Sequence, residues 1–153
     1  MEDALLVKKI ENGTVIDHIP PKMSLTVARI LKVFDDGNPV LLAINVESKK
    51  MKRKDILKLE NRFLSQTELG EISLLIPGAT VNKIENWKVV DKQTVELPDK
   101  IEGIVRCANP ACVTNKGEPV TAKFTVISRE PLLIRCHYCR RDMDKDQIME
   151  NLV

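Results

Sequence analysis

The sequence predicts an α+β protein in two parts, a ferredoxin-like α/β sandwich followed by a small antiparallel-β unit. Three observations predict it. Apolar periodicity alternates between strand-like and helix-like up to about Val90. The pattern then lapses around Leu97-Pro98-Asp99. All four cysteines of the 153-residue chain fall beyond that lapse, in "CANPAC" and "RCHYC".

The elements follow in order. The stretch from Leu5 to Ile19 is rich in β-branched residues, and "GTVIDHIP" is its clearest strand end. Met23, Val27, Ile30, Leu31 and Phe34 carry the three-and-four spacing of an amphipathic helix, broken by Asp35-Asp36-Gly37-Asn38. Val40 to Val46 reads as a buried strand, and "MKRKDILKLEN" as a second strand with one apolar face, the two joined as a hairpin. Ser65 and Glu68 form a capping box, flanked by a Leu64–Leu69 hydrophobic staple, and Pro77-Gly78 ends that helix. "ATVNKI" and "WKVV" follow as two short strands or one bent strand. Strand, helix, two strands, helix, strand is the split βαβ pattern of the ferredoxin-like sandwich. A linker is expected over residues 93–101, dividing the chain into domains at 1–96 and 101–153.

The second domain has about fifty residues and two apolar runs, Phe124 to Ile127 and Leu132 to Ile134. That is too little core to fold without a staple. Cys107 and Cys112 enclose four residues, and Cys136 and Cys139 enclose two. Two such knuckles make a tetrahedral four-thiolate site suited to one structural Zn²⁺, with no coordination position left for water or substrate. Disulfides are the weaker alternative in a cytoplasmic setting. Arg106, Arg135, Arg140 and Arg141 stand beside the cysteines, either offsetting the negative metal–thiolate charge or simply facing solvent. With four cysteines in place, His137 is expected to point to solvent.

Composition narrows the function. The chain is 43% apolar and 30% charged, as a folded globular protein should be. No apolar run reaches the roughly 20 residues that span a bilayer, and the acidic start of "MEDALLVKKIENG" has the wrong layout for a signal peptide, so a cytoplasmic protein is expected. A net charge of +2 and 3% aromatics argue against nucleic-acid binding. Phosphate-loop, dinucleotide, nucleophile-elbow and zinc-protease motifs are all missing from the sequence. Asp17 and His18 are neighbours, so on a regular strand they face opposite ways and form no dyad. The chain reads as a binding and docking protein, with no catalytic residue of its own.

"GTVIDHIP", "RKDILKLENRFLS", "ATVNKIENWKVVDK" and the cysteine spacing, in that order, closely resemble the regulatory chain of aspartate carbamoyltransferase. The resemblance covers nearly the whole chain. It implies an N-terminal allosteric domain that binds the nucleotide effectors CTP and ATP, and a C-terminal zinc domain that docks on the catalytic chain. It further implies a non-catalytic subunit of pyrimidine biosynthesis, paired as a homodimer and bridging catalytic trimers.

Positions matching the family's nucleotide site are Ile10, Val15, Asp17, His18, Lys54, Lys58, Asn82, Ile84, Trp87, Val89 and Lys92. Their chemistry fits. Lys54, Lys58 and Lys92 are point charges for phosphates, and the first two share a strand face. Asp17 can accept from ribose hydroxyls or an exocyclic amine, or else end a strand. His18 can donate to a phosphate, or cap the turn. Asn82 offers a donor and an acceptor for a base edge. Ile10, Val15, Ile84 and Val89 add backbone groups, and their side chains wall the pocket or join the core. Trp87 stands where the best-known member has tyrosine, so a phenolic hydroxyl is lost. Two rival readings remain: a zinc-ribbon nucleic-acid module carried by "RCHYCRR", and a nucleotide sensor with no catalytic partner.

Overall fold

The computed structural model describes residues 9–153, and the chain divides into two compact units, Met1–Glu96 and Leu97–Val153. The expected strand character of residues 5–8 lies outside the described residues.

In the first unit the strands are β1 (Gly13–Ile19), β2 (Val40–Ser48), β3 (Lys52–Glu60), β4 (Thr80–Glu85) and β5 (Lys88–Thr94), with helices α1 (Ser24–Ile30) and α2 (Gln66–Leu75). They form one antiparallel sheet in the order β2-β3-β1-β4-β5. The first four strands have the ferredoxin-like order, and β5 extends it past β4. "ATVNKI" and "WKVV" are therefore two strands, joined through Asn86 and Trp87, which both have positive φ (53° and 70°). Positive φ at both central residues is what a tight hairpin turn requires.

Alternation along the strands separates two faces. Ile16, Leu57 and Leu59 are fully or almost fully buried, as are Val27 and Ala28 of α1 and Ile72 and Leu74 of α2. Asp55 shares the helix-side parity of Leu57 and is also fully buried. Its Oδ2 accepts the Lys22 and Ser24 amides (2.9 and 3.2 Å) and the Ser24 hydroxyl (2.6 Å), and its Oδ1 accepts the Asn45 amide (2.8 Å). The start of α1 has no side-chain cap from Met23; Asp55, on the helix-side face of β3, accepts the first helical amide, that of Ser24, instead. Gly13 admits no side chain, since a Cβ there would lie 2.0 Å from the Leu59 carbonyl oxygen.

The predicted capping box on α2 is present in both directions, Glu68 N–H to Ser65 Oγ at 3.1 Å and Ser65 N–H to Glu68 Oε1 at 2.9 Å. Three expectations need correction. Lys9–Asn12 are not strand, and β1 starts only at Gly13. The first helix stops at Ile30 because Lys32 turns left-handed (φ 56°); Val33 is thereby buried and Phe34 is left 60% exposed. Val40–Val46 is no buried strand: β2 is an edge strand, with Leu41 and Ile44 exposed.

The second unit holds β6 (Lys100–Glu102), β7 (Lys123–Arg129), β8 (Leu132–Cys136) and β9 (Asp142–Asp144) in sequential antiparallel order, then α3 (Lys145–Glu150). Its apolar core is small: besides the cysteines, Leu97, Ile101, Val105, Phe124, Ile134, Met143 and Ile148. The expected linker is narrower than residues 93–101, because Val95 is buried and its amide and carbonyl pair with Ala79 and Gly78. Replacing Asp55 by Ala strands four donors at once. The expected loss is about 3 kcal/mol or more, against about 1 kcal/mol for Ser65→Ala, both read as shifts in the urea midpoint.

Candidate functional site

Two knuckles converge in the second unit. Cys107 and Cys112 flank the turn before a short 3₁₀ segment at Val113–Asn115, while Cys136 ends β8 and Cys139 follows it. The turns are fixed locally. Asn115 Nδ2 donates to the Cys107 and Asn109 carbonyls (2.8 and 2.9 Å), and Asn109 Oδ1 accepts the Ala111 amide (3.1 Å). The Cys136 amide donates to the Arg141 carbonyl (3.0 Å), and the Arg140 amide to the Cys136 carbonyl (3.1 Å), with Arg140 left-handed at φ 66°.

The four Sγ atoms lie within 4.8 Å of one another, with 3.6 Å between Cys107 and Cys139 and 3.7 Å between Cys112 and Cys136. Four sulfurs each about 2.3 Å from a tetrahedral Zn²⁺ would stand about 3.8 Å apart. The spacing fits zinc, held by Cys107, Cys112, Cys136 and Cys139. Burial pushes the Cys107 thiol up to about 12. At Cys139 burial acts the same way, but hydrogen bonds from the Arg141 backbone and the Asn109 side chain bring the thiol down to about 7. Thr114 donates to the Cys112 sulfur at 3.2 Å. Of the four arginines, Arg135 is committed to Asp142 (Nε–Oδ1 2.7 Å), while Arg106, Arg140 and Arg141 are exposed. His137 is exposed, its ring edge-on to Tyr138.

In the first unit, the candidate nucleotide residues gather on the sheet face opposite the helices. Cross-strand register places Lys58 opposite Val15, Val15 opposite Asn82, and Asn82 opposite Lys92, one transverse row over four strands. With strands about 4.8 Å apart, the two lysines bracket the row at about 14 Å. Asn82 Nδ2 donates to the Val15 carbonyl at 3.3 Å. Toward the β4–β5 turn, Ile84 pairs with Val89 in the adjacent row, close to Trp87. Ile84 and Ile10 are buried, whereas Val89 and Trp87 are 57% and 59% exposed. The Trp87 amide donates to the Glu11 carbonyl, which fixes the turn against the N-terminal segment.

In the other direction along the strands lie Asp17, His18 and Lys54. Lys54 Nζ meets Asp17 Oδ1 at 2.9 Å, and the same oxygen accepts the His18 amide at 2.6 Å. Strict alternation fails here. His18 adopts φ 58° at a register shift in β1, which puts it in the same cleft as Lys54. There is still no dyad, because Asp17 meets the His18 backbone while the His18 ring Nδ1 pairs with Thr80 Oγ1 at 3.1 Å. Burial lowers the His18 pKa; Asp17 opposes this, and Lys54, Lys50 and Lys92 add to it. Burial also lowers the Lys58 pKa, with Asp17 opposing and Lys9 assisting.

A cleft of about 830 Å³ is lined by His18, Glu47, Ser48, Lys49, Lys50, Lys52, Arg53 and Lys54. The signal in the sequence is the basic run "KKMKRK", which spans the β2–β3 turn and the start of β3. No helix among the described residues is long and apolar enough to cross a membrane.

Comparison with known proteins agrees across both units. Residues 5–96 match the family described as aspartate carbamoyltransferase regulatory chain, allosteric domain, and residues 99–149 match its metal binding domain. The chain is 57% identical over 150 residues to the aspartate carbamoyltransferase regulatory chain of Pyrococcus abyssi, covering 97% of this chain and 98% of that protein. It is similarly related to the regulatory chains of Pyrococcus horikoshii, at 54% with the same coverage, and Thermococcus kodakarensis, at 49% over 99% of this chain and all of that protein.

Stripping the metal with a chelator should unfold residues 97–153, since such sites supply on the order of 10–16 kcal/mol in small zinc-dependent folds. Loss of dispersed amide resonances from that unit, with those of residues 9–96 retained, is the expected NMR result. Zinc re-addition should release protons, and affinity should fall as pH drops and the thiolates are protonated.

Proposed function

Because the chain belongs to the aspartate carbamoyltransferase regulatory-chain family, we propose that it binds CTP and ATP on the open sheet face and passes their effect to catalytic trimers through its metal-binding unit. It is a regulatory chain rather than an enzyme. In this reading two regulatory chains pair as a homodimer, bridge the trimers and work in the cytoplasm.

The observation that carries the reading is the row Lys58–Val15–Asn82–Lys92. It offers an amide for a base edge between two cations, and the Asp17–Lys54 pair and His18 lie one step further along the strands. Strands advance about 6.7 Å per two residues. A ligand laid from the Ile84–Val89 row toward His18 therefore passes from apolar and amide groups to cations over about 13 Å. Base, sugar and phosphates meet matching chemistry in that order. Asp17 then accepts from the sugar or an amine, Trp87 borders the base, and Ile10 and Val15 wall the site.

Regulation requires differential affinity, because a ligand that binds both quaternary states equally shifts nothing. Neutralising Lys54, Lys58 and Lys92 is the event that favours one state in this mechanism. The rigid zinc-held unit carries that preference to the catalytic chain as a rigid-body movement. A coupling of about 1–3 kcal/mol, roughly 5–150-fold in affinity, is ordinary for such a device.

The test is calorimetric titration of the zinc-loaded chain with CTP and, in parallel, ATP. Saturable binding weakened about tenfold by Lys92→Ala is expected; no heat at millimolar ligand overturns the reading. Affinity should also rise as pH falls. His18 titrates below its ordinary value in the free chain, and a bound phosphate raises it, so binding takes up a proton as pH falls through the range between the two values. His18→Gln should flatten that slope.

A further inference from the structure

The sheet of the first unit is wider than the helical layer over it. Val81 of β4 is buried, but all seven residues of β5 are exposed, so no helix covers the outermost strand. A pocket of about 210 Å³ lies at that step. Its floor is apolar, built from Val81, from Leu69 of α2, and from Phe63 and Leu64 in the segment that leads into α2. Thr14 Oγ1 donates to the Arg62 carbonyl at 2.7 Å, which ties the chain just ahead of Phe63 to β1.

Strand register gives the rim its charge. Thr14 pairs with Lys83 and Lys83 with Asp91, a row across β1, β4 and β5, and Val81 pairs with Gln93 beside it. By alternation these side chains face the opposite way to Val15, Asn82 and Lys92, so the pocket lies behind the open-face row. Opposite charges directly across two strands favour pairing. Yet no ion pair joins Lys83 and Asp91 among the described residues; Lys83 Nζ stands 5.2 Å from the Phe63 ring centroid instead. The Asp91 carboxylate and the Gln66 and Gln93 amides, which also line the pocket, have no side-chain partner among the described residues.

One cation and one carboxylate over an apolar floor cancel in charge, which suits neither a phosphate chain nor a lone cation. They match a small molecule that carries both charges at one end and hydrocarbon at the other. At about 210 Å³ the pocket is smaller than the roughly 300–1,000 Å³ of sites for drug-sized ligands, so the ligand is small. We propose that this pocket is a second ligand site that takes a free aliphatic amino acid. Lys83 meets its carboxylate, Asp91 its ammonium, and the hydrocarbon side chain packs on Phe63, Leu69 and Val81. The inference stands independently of the nucleotide reading, because the two sites use opposite faces of the same strands.

The experiment is an amide NMR titration of the zinc-loaded full chain with L-leucine. Saturable shifts are expected at the amides of Phe63, Leu64, Val81, Lys83, Asp91 and Gln93. The expected Kd is about 1–10 mM, ordinary for one small hydrocarbon group and two exposed ion pairs. Isocaproate, which lacks the ammonium, and isoamylamine, which lacks the carboxylate, should each bind about threefold more weakly or worse. Glycine, with both charges and no hydrocarbon, should not saturate below about 50 mM. Asp91→Asn should weaken leucine about threefold and leave isocaproate unchanged; Lys83→Gln should weaken leucine as much and leave isoamylamine unchanged. The comparison of ligands on the unaltered chain stands even where a variant fails to fold. No saturable shift with leucine up to about 50 mM, shifts confined to the open-face amides, or isocaproate binding as tightly as leucine overturns the proposal.

Discussion

The buried carboxylate of Asp55 is the constraint around which the first unit is arranged. Four donors from three separate places, the Lys22 turn, the start of α1 and the bend of β2 at Asn45, meet on its two oxygens. A carboxyl group survives full burial only when its oxygens find hydrogen-bond partners in this way. Because strand residues alternate, an Asp55 locked toward the helices obliges Lys54 to face the other side. The same peptide that ties down the fold thereby aims a cation at the open sheet face. β2 bends where its Asn45 amide is captured, so the edge strand and the basic turn beyond it are set by the same group.

In the second unit the metal does the corresponding work. Seven apolar core side chains cannot offset the ordering of some fifty residues, and the four sulfurs close the deficit by fixing two distant turns to one point. Such a unit is rigid where it is cross-linked. Four thiolates also leave the metal coordinatively closed, in keeping with a chain that regulates and does not catalyse.

The one-sided sheet gives the first unit its use. Helices cover one face, and the other carries the register-locked row Lys58, Val15, Asn82 and Lys92 on four strands. Strand pairing fixes the spacing of that row more tightly than a loop would. The Asn86–Trp87 turn bounds one end of the face, and the basic turn bounds the other.

Much of this was legible in the sequence. The capping box at Ser65 and Glu68 and the two cysteine knuckles are local, because each is specified within a few residues and needs no distant partner. The order of elements follows from periodicity, and the four matching segments carried the family. Other features depended on pairing at a distance. Val40–Val46 is apolar enough for a central strand, yet it lies at an edge because β3 has β1 on its other side. Phe34 keeps helical spacing, yet Lys32 turns the chain and leaves it in solvent. His18 should oppose Asp17 on a regular strand, and a register shift against β3 brings it into the cleft beside Lys54. The run "KKMKRK" showed its charge but not the cleft beneath it, which forms only when a turn and a bulge from separate strands come together. Sequence by itself determined the order of elements in the first unit, the four-cysteine cluster and the kinship, since short-range spacing encodes them. Only the tertiary structure decided which face each residue serves, because register and strand order are set by contacts between residues far apart in the chain.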